Sequence, residues 1–129
     1  MGDDIYIDNF DEILKINKPT IFGFEVEDVS NFGAIISENG KFVKIAEKEL
    51  KGRGLANTGL YIMHRKFFEI FDKIPLSANG EYYLTEAPKI LKDLGIEFEV
   101  RKIKYWFPVN NYQELLEAEK KLRELKLFF

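Results

Sequence analysis

The residues best suited to chemistry are few. Asp3 and Asp4 form an acidic pair directly before the apolar run Ile5-Tyr6-Ile7. Carboxylates at a strand end can hold a hard cation such as Mg²⁺, which favours oxygen ligands and keeps several waters; the same pair also reads as a solvated terminus. Asn57, Asn110 and Asn111 stand in otherwise apolar or β-rich surroundings. A buried amide must find partners, so these residues serve either as turns and caps or as hydrogen-bonding groups for a polyhydroxyl ligand. The one histidine, His64, has no cysteine to share a zinc ion with. Gly52-Arg53-Gly54 precedes a strand rather than a helix, so it has no helix N-terminus for phosphate. Neither a hydrolase nucleophile elbow nor a phosphate-cradling Gly-x-x-x-x-Gly-Lys loop is present.

The elements that must carry these groups follow from periodicity. Phe10 to Ile16 has helical apolar spacing, with Asn9 or Asp8 as cap and Pro19 as stop. Thr20 to Val26 reads as a buried strand. Phe32–Ile36 and Lys41–Ala46 are β-rich and flank Ser37-Glu38-Asn39-Gly40. Asn-Gly between two such runs predicts a hairpin, because both residues tolerate positive φ. Lys48 to Gly54 reads as an exposed loop and Thr58 to Met63 as a strand. Amphipathic helices are expected over 66–74, after a Thr85 cap with Gly95 as terminator, and from Tyr112 to Leu125. In the last of these, Glu117 with Lys121 and Glu119 with Arg123 are four apart. Ile96 to Ile103 alternates apolar and charged residues, as a half-buried strand does. The fold class is α/β, with strands and helices mixed through one domain.

Composition sets the frame. With 129 residues, 46% hydrophobic and 32% charged, the chain suits one soluble globular domain. Its apolar runs are far shorter than the ~20 residues that span a bilayer. The acidic start has no signal-peptide core, and no cysteine is present, so a cytoplasmic location is expected. A net charge of −3 with interspersed signs gives no basic face for nucleic acid. Twelve phenylalanines point to a well-filled core, or to rings that face a partner.

Five short motifs occur in order: Gly2-Asp3-Asp4-Ile5-Tyr6; Phe32-Gly33-Ala34-Ile35 through Asn39-Gly40-Lys41 to Glu47-Lys48; Asn57-Thr58-Gly59-Leu60-Tyr61; Gly80-Glu81-Tyr82-Tyr83-Leu84-Thr85; and Val109-Asn110-Asn111 leading into Leu115-Leu116-Glu117-Ala118-Glu119. This series resembles the sugar-1-phosphate nucleotidyltransferases, above all the N-acetylglucosamine-1-phosphate uridylyltransferases and then the glucose-1-phosphate thymidylyltransferases. The resemblance implies the C-terminal half of a nucleotide-diphospho-sugar transferase (Rossmann-like) fold, a mixed sheet with flanking helices. Residues 1–129 would be the sugar-phosphate-binding half of that domain, without the glycine-rich nucleotide-binding half. The implied reaction is attack of a sugar 1-phosphate oxygen on the α-phosphorus of UTP or dTTP, releasing pyrophosphate.

The resemblance also implies roles. Gly33, Glu47, Asn57 and Thr85 would bind the sugar phosphate, with Glu81 in the same wall as Thr85. Lys48 would be the phosphate-binding catalytic lysine, although Glu49 replaces the proline that follows it in relatives. Asp3 would be catalytic as a ligand of Mg²⁺, with Asn110 as the second metal ligand. Trp106-Phe107-Pro108 stands where thymidylyltransferases carry an aspartate two residues after a tryptophan, and Pro108 offers no side-chain ligand. The chain alone is expected to be inactive, to bind Mg²⁺ only when assembled with a nucleotide-binding half, and to self-associate or pair with a complementary chain through an unpaired strand edge. The alternative is a non-catalytic sugar-phosphate-binding or protein-interaction module derived from the same family.

Overall fold

A computed structural model describes residues 4–48, 50–63, 65, 68–69 and 87–126. Asp3, His64, Glu81, Thr85 and most of the helix expected over 66–74 lie outside the described residues. The described elements are β1 (Asp4–Ile7), α1 (Phe10–Ile13), β2 (Thr20–Val26), β3 (Gly33–Glu38), β4 (Lys41–Glu47), β5 (Gly54–Ile62), α2 (Ala87–Asp93), β6 (Glu99–Lys102), β7 (Tyr105–Pro108) and α3 (Tyr112–Glu124).

Five strands close into a ring in the order β2-β5-β3-β4-β6, and β1 pairs with β7 as a separate two-stranded sheet. The expected mixed sheet is present: β6 runs parallel to β2, and the other pairs are antiparallel. The β3–β4 hairpin turns on Asn39 and Gly40, with φ of 52° and 77°. Those angles suit a type I′ turn, whose twist matches the strands it joins. Ring closure between β4 and β6 is narrow, with Lys41 opposite Glu99. Glu99 there receives Lys41 at 3.4 Å and Lys18 at 3.5 Å. The Lys41 hydrogen bond is the main cause of its lowered pKa.

β2 explains its own sequence. Thr20, Ile21, Phe22 and Gly23 are all buried. Successive side chains point to opposite faces, and each face of β2 meets a different core. Ile21 packs with Ile35, Phe42, Leu91 and Phe98 inside the ring, under α2. Phe22 packs with Ile13, Ala56, Ile103 and Trp106 beneath β1 and β7. A strand covered on both sides reads as a continuous apolar run. The well-filled core is present in Phe22, Phe42 and Phe98, whereas Phe68 and Tyr112 are exposed.

Helix ends follow local chemistry. Asn9 caps α1 by accepting from the Glu12 N–H at 3.3 Å. At the end of α2 the Ile96 N–H reaches the Leu91 carbonyl and the Gly95 N–H reaches that of Lys92, both at 2.9 Å, with Gly95 at φ 89°. This paired closure needs a left-handed residue, which glycine adopts without steric cost. It uses Ile96, so β6 begins only at Glu99 rather than at Ile96. β5 instead begins four residues earlier than expected, at Gly54. In α3, Arg123 meets Glu119 at 3.0 Å as the spacing predicts, but Lys121 turns to Glu124 at 3.7 Å instead of Glu117.

Thr58 is fully buried; its hydroxyl donates to the Phe22 carbonyl at 2.8 Å and accepts from the Leu60 N–H at 3.3 Å. Replacing it with valine keeps the shape and strands both partners in the core. Thr58→Val is therefore expected to destabilise the fold by about 1–3 kcal/mol in urea unfolding.

Candidate functional site

The site is built on an irregularity in β5. Ile21 of β2 faces Tyr61, and Gly23 faces Asn57, so a two-residue step on β2 spans four residues on β5. The extra chain is accommodated at Gly59, whose φ is 79°. In a regular strand, residues four apart would be separated by roughly 13 Å. Here the Asn57 amide Nδ2 donates to the Tyr61 hydroxyl at 3.0 Å. Bulges commonly re-aim side chains beside functional sites.

The bulge leaves backbone groups off the ladder, and side chains take up several of them. The Gly59 N–H donates to Asn57 Oδ1 at 3.2 Å. The Thr58 carbonyl accepts the Tyr6 hydroxyl at 2.6 Å. That bond ties β1 to β5 across 52 positions of sequence. Among the described residues, no buried side-chain nitrogen or oxygen lacks a partner.

Across the ring, three of the sequence-predicted residues form a row. Glu47 of β4 lies opposite Gly33 of β3. Ala34 lies opposite Ala56 in the antiparallel β3–β5 pair, so the next register step carries Gly33 beside Asn57. Asn57 in turn faces Gly23. Polar and glycine positions thus alternate from strand to strand. Glu47 and Asn57 flank a floor of bare backbone at Gly33, two strand spacings or roughly 9–10 Å apart at their backbones. A Cβ on Gly33 would sit 2.8 Å from Ile45 Cγ2 and 3.1 Å from Glu47 Oε1. The glycine is what lets the carboxylate lean over this floor.

Tyr61 belongs to the same group; it closes the third motif of the series, which gave it no role. Its ring packs against the ring core, and its phenol pKa lies above the ordinary 10.0. Burial is the main cause; the Asn57 hydrogen bond opposes it, and the negative charge of Glu47 adds to it. Only the pairing of Asn57 with Tyr61 four positions later could have signalled it, and that spacing means contact only in a bulged strand.

Lys48 follows Glu47 with φ 55°, and its N–H reaches the Phe32 carbonyl at 3.4 Å. It therefore stands at the Gly33 end of the hairpin. Left-handed backbone at a non-glycine residue costs about 1–2 kcal/mol and is found preferentially where a side chain has a task.

The residues expected to hold a metal are only partly described. Asp4 lies opposite Pro108, which puts Asn110 two residues beyond the same end of the β1–β7 pair. The Asp4 carboxylate accepts the Trp106 indole N–H at 3.1 Å. Asn111 caps α3, accepting from the Glu114 N–H at 2.8 Å. The Glu114 carboxylate receives the Asn110 N–H at 2.9 Å and its Nδ2 at 3.1 Å. That commits the amide nitrogen of Asn110 and leaves its Oδ1 as an oxygen donor. Among the described residues, no group of three His, Asp or Glu side chains could hold a metal by itself.

A separate cleft of about 590 Å³ lies between β7 and α3, lined by Phe24, Tyr105, Phe107 and Leu125. Its walls are largely apolar, and none of the row residues reaches it.

The nucleotidyl transferase family model matches residues 1–124. The chain belongs to the nucleotidyl transferase family. It is 35% identical over 126 residues to the bifunctional protein GlmU of Methanocaldococcus jannaschii, covering 94% of this chain and 30% of that protein. Its fold matches a protein of Bacillus anthracis described as a glucose-1-phosphate thymidylyltransferase, with a TM-score of 0.74 and 23% identity over 95% of this chain and 52% of the other. An apo UDP-glucose pyrophosphorylase matches equally, with a TM-score of 0.74 and 20% identity over 98% of this chain and 53% of the other. The nucleotidyl transferase chain thus spans about 30% of that curated relative and about half of the solved chains. Among its described residues, no helix is long and apolar enough to cross a membrane.

Two outcomes follow for this site. Gly33→Ala should lower stability by about 1–3 kcal/mol in thermal unfolding, because Ile45 and Glu47 must both yield. The Tyr61 phenol holds its proton more tightly in the folded chain than in the unfolded one. Its contribution is complete below the ordinary phenol value and is lost as pH rises through the folded-state value. Denaturant unfolding between about pH 9 and 11 should show a decline in stability that is shallower in Tyr61→Phe.

Proposed function

We propose that the Glu47–Gly33–Asn57 row is the sugar-phosphate site of a sugar-1-phosphate nucleotidyltransferase, which makes a nucleoside-diphosphate sugar and pyrophosphate. The observation that carries this reading is the row itself: an acceptor carboxylate and an amide on either side of half-buried glycine backbone. Sugar hydroxyls donate to Glu47, sugar oxygens receive the Asn57 amide, and the ring rests on Gly33. Lys48, one residue on, would neutralise the sugar's phosphate. Thr85, two residues before α2, would close the wall; α2 packs on the core that underlies the row.

Transfer itself needs the α-phosphorus of UTP or dTTP held in line with the sugar 1-phosphate oxygen. Positioning and charge neutralisation are the main requirements of such a step. Mg²⁺ would supply part of that neutralisation when bound. Asn110 Oδ1 fits a cation that takes oxygen ligands, and Asp3 would add the carboxylate. The chain's own residues orient the sugar; the nucleotide would come with a glycine-rich partner half. The outer edges of β1 and β7, unpaired among the described residues, and exposed Tyr112, Leu115 and Leu116 of α3 with Leu125 at its end, are surfaces on which such a half could pack. Self-association would use the same surfaces. The reaction suits the cytoplasm, where nucleoside triphosphates are available.

Calorimetry with glucose 1-phosphate and N-acetylglucosamine 1-phosphate tests the site. The chain should bind at least one of them, and Glu47→Gln or Asn57→Ala should weaken binding by about ten-fold or more. No binding by the unaltered chain would sink the reading. Pyrophosphate release should be absent with the chain alone and appear on mixing with a nucleotide-binding half. Binding without any restored release would favour the non-catalytic alternative.

A further inference from the structure

We propose that Leu127-Phe128-Phe129, which follow the described residues, fold back to seal the apolar cleft between β7 and α3. This inference does not depend on the sugar-phosphate reading of the row.

The cleft has a volume of about 590 Å³. Its β7 wall is aromatic: the Tyr105 and Phe107 rings stack with centroids 6.4 Å apart and planes 5° apart. Its α3 wall is one stripe of the helix: Glu114, Glu117, Ala118, Lys121 and Leu125. Those positions are spaced by three or four residues, so they share a face. The cleft therefore runs along α3 and reaches Leu125, where the chain leaves the helix. A groove this apolar is characteristic of a surface that receives a partner segment.

The helix end turns the chain toward it. The Leu125 N–H donates to the Lys121 carbonyl and the Lys126 N–H to that of Arg123, both at 3.0 Å. Lys126 is left-handed, with φ 56°. A left-handed residue at this position closes the helix and redirects the chain. Lysine adopts that backbone only at a steric cost, and such conformations persist where further contacts hold them.

The three residues that follow are all large and apolar. Extended, three residues reach about 10 Å. The helix rise from Leu125 back to Ala118 is also about 10 Å. The segment is thus long enough to lie along the stripe as far as Ala118, which is buried and small. Phenyl rings placed there meet Tyr105 and Phe107, and aromatic pairs gain beyond the area they bury. Tethering decides between occupants. A segment attached one residue from the cleft has an effective concentration on the order of millimolar. A second copy or a nucleotide-binding half competes from dilute solution. Exposed Leu115 and Leu116 lie outside the cleft stripe and stay open to such partners.

Nuclear Overhauser spectra of the chain with labelled phenylalanine and tyrosine rings test the contact. Ring signals of Phe128 and Phe129, identified by their loss in Phe128→Ser and Phe129→Ser, should give cross-peaks to Tyr105 and Phe107. The double variant should melt about 4–8 °C lower. It should also bind the apolar dye anilinonaphthalene sulfonate more strongly, because the cleft is then open. Leu14→Ser removes an apolar side chain that is already exposed and should change neither. Absence of the cross-peaks in the unaltered chain overturns the proposal, whatever the stability of the variants. Cross-peaks that arise only between differently labelled chains in a mixed sample assign the cleft to a second copy and overturn the fold-back. Unchanged melting and dye binding in the double variant overturn the sealing role.

Discussion

The hydrogen-bonding of the β5 bulge is the constraint on which the rest of the molecule depends. An extra stretch of chain at Thr58-Gly59-Leu60 would leave polar backbone groups stranded between two cores. Thr58 resolves this by bonding the Phe22 carbonyl and the Leu60 N–H through its hydroxyl. Its own carbonyl is met by Tyr6 from β1. Buried polar groups are costly unless paired. The bulge therefore persists only because β1, β2 and β5 are assembled together, and in assembling them it connects the ring to the β1–β7 sheet.

That connection joins the proposed sugar row to the β1–β7 sheet. On one side of the bulge, Asn57 and Tyr61 join Gly33 and Glu47 above the ring core. On the other, Tyr6 ties in the strand that begins at Asp4, whose carboxylate is held by Trp106. Trp106 is buried and meets Phe32 edge-on at 5.5 Å. Phe32 is the residue just before Gly33. A short path of packed and hydrogen-bonded groups thus runs from the end of β1 to the floor of the row. Sites set on strands and backed by packed neighbours hold their geometry better than sites on loops.

Local signals in the chain are strong wherever the physics is local. Asn39-Gly40 specifies its turn because few residues tolerate positive φ. Gly95 ends α2, Asn9 and Asn111 cap their helices, and alternation marks β6. The ordered motifs are short-range as well, and their resemblance to the family singles out Gly33, Glu47 and Asn57. The positions that went unread depend on distant partners. Tyr105 to Pro108 gives no alternation of its own and becomes β7 because β1 pairs with it. Ile96 was claimed by the α2 terminus, a closure that competes directly with strand pairing.

The sequence by itself determined the family, the α/β class, the hairpin, the helix caps and the identity of three row residues. Each of these rests on interactions between neighbours in the chain, or on short motifs whose order resembles that of the family. Tertiary structure alone decided that five strands close into a ring and that Tyr61 joins Asn57. The Tyr61 contact needs the register of β5 against β2, which is set by how two cores fill on either face of β2. A one-residue slip would turn those side chains to the other face, and no local pattern in the sequence encodes that register.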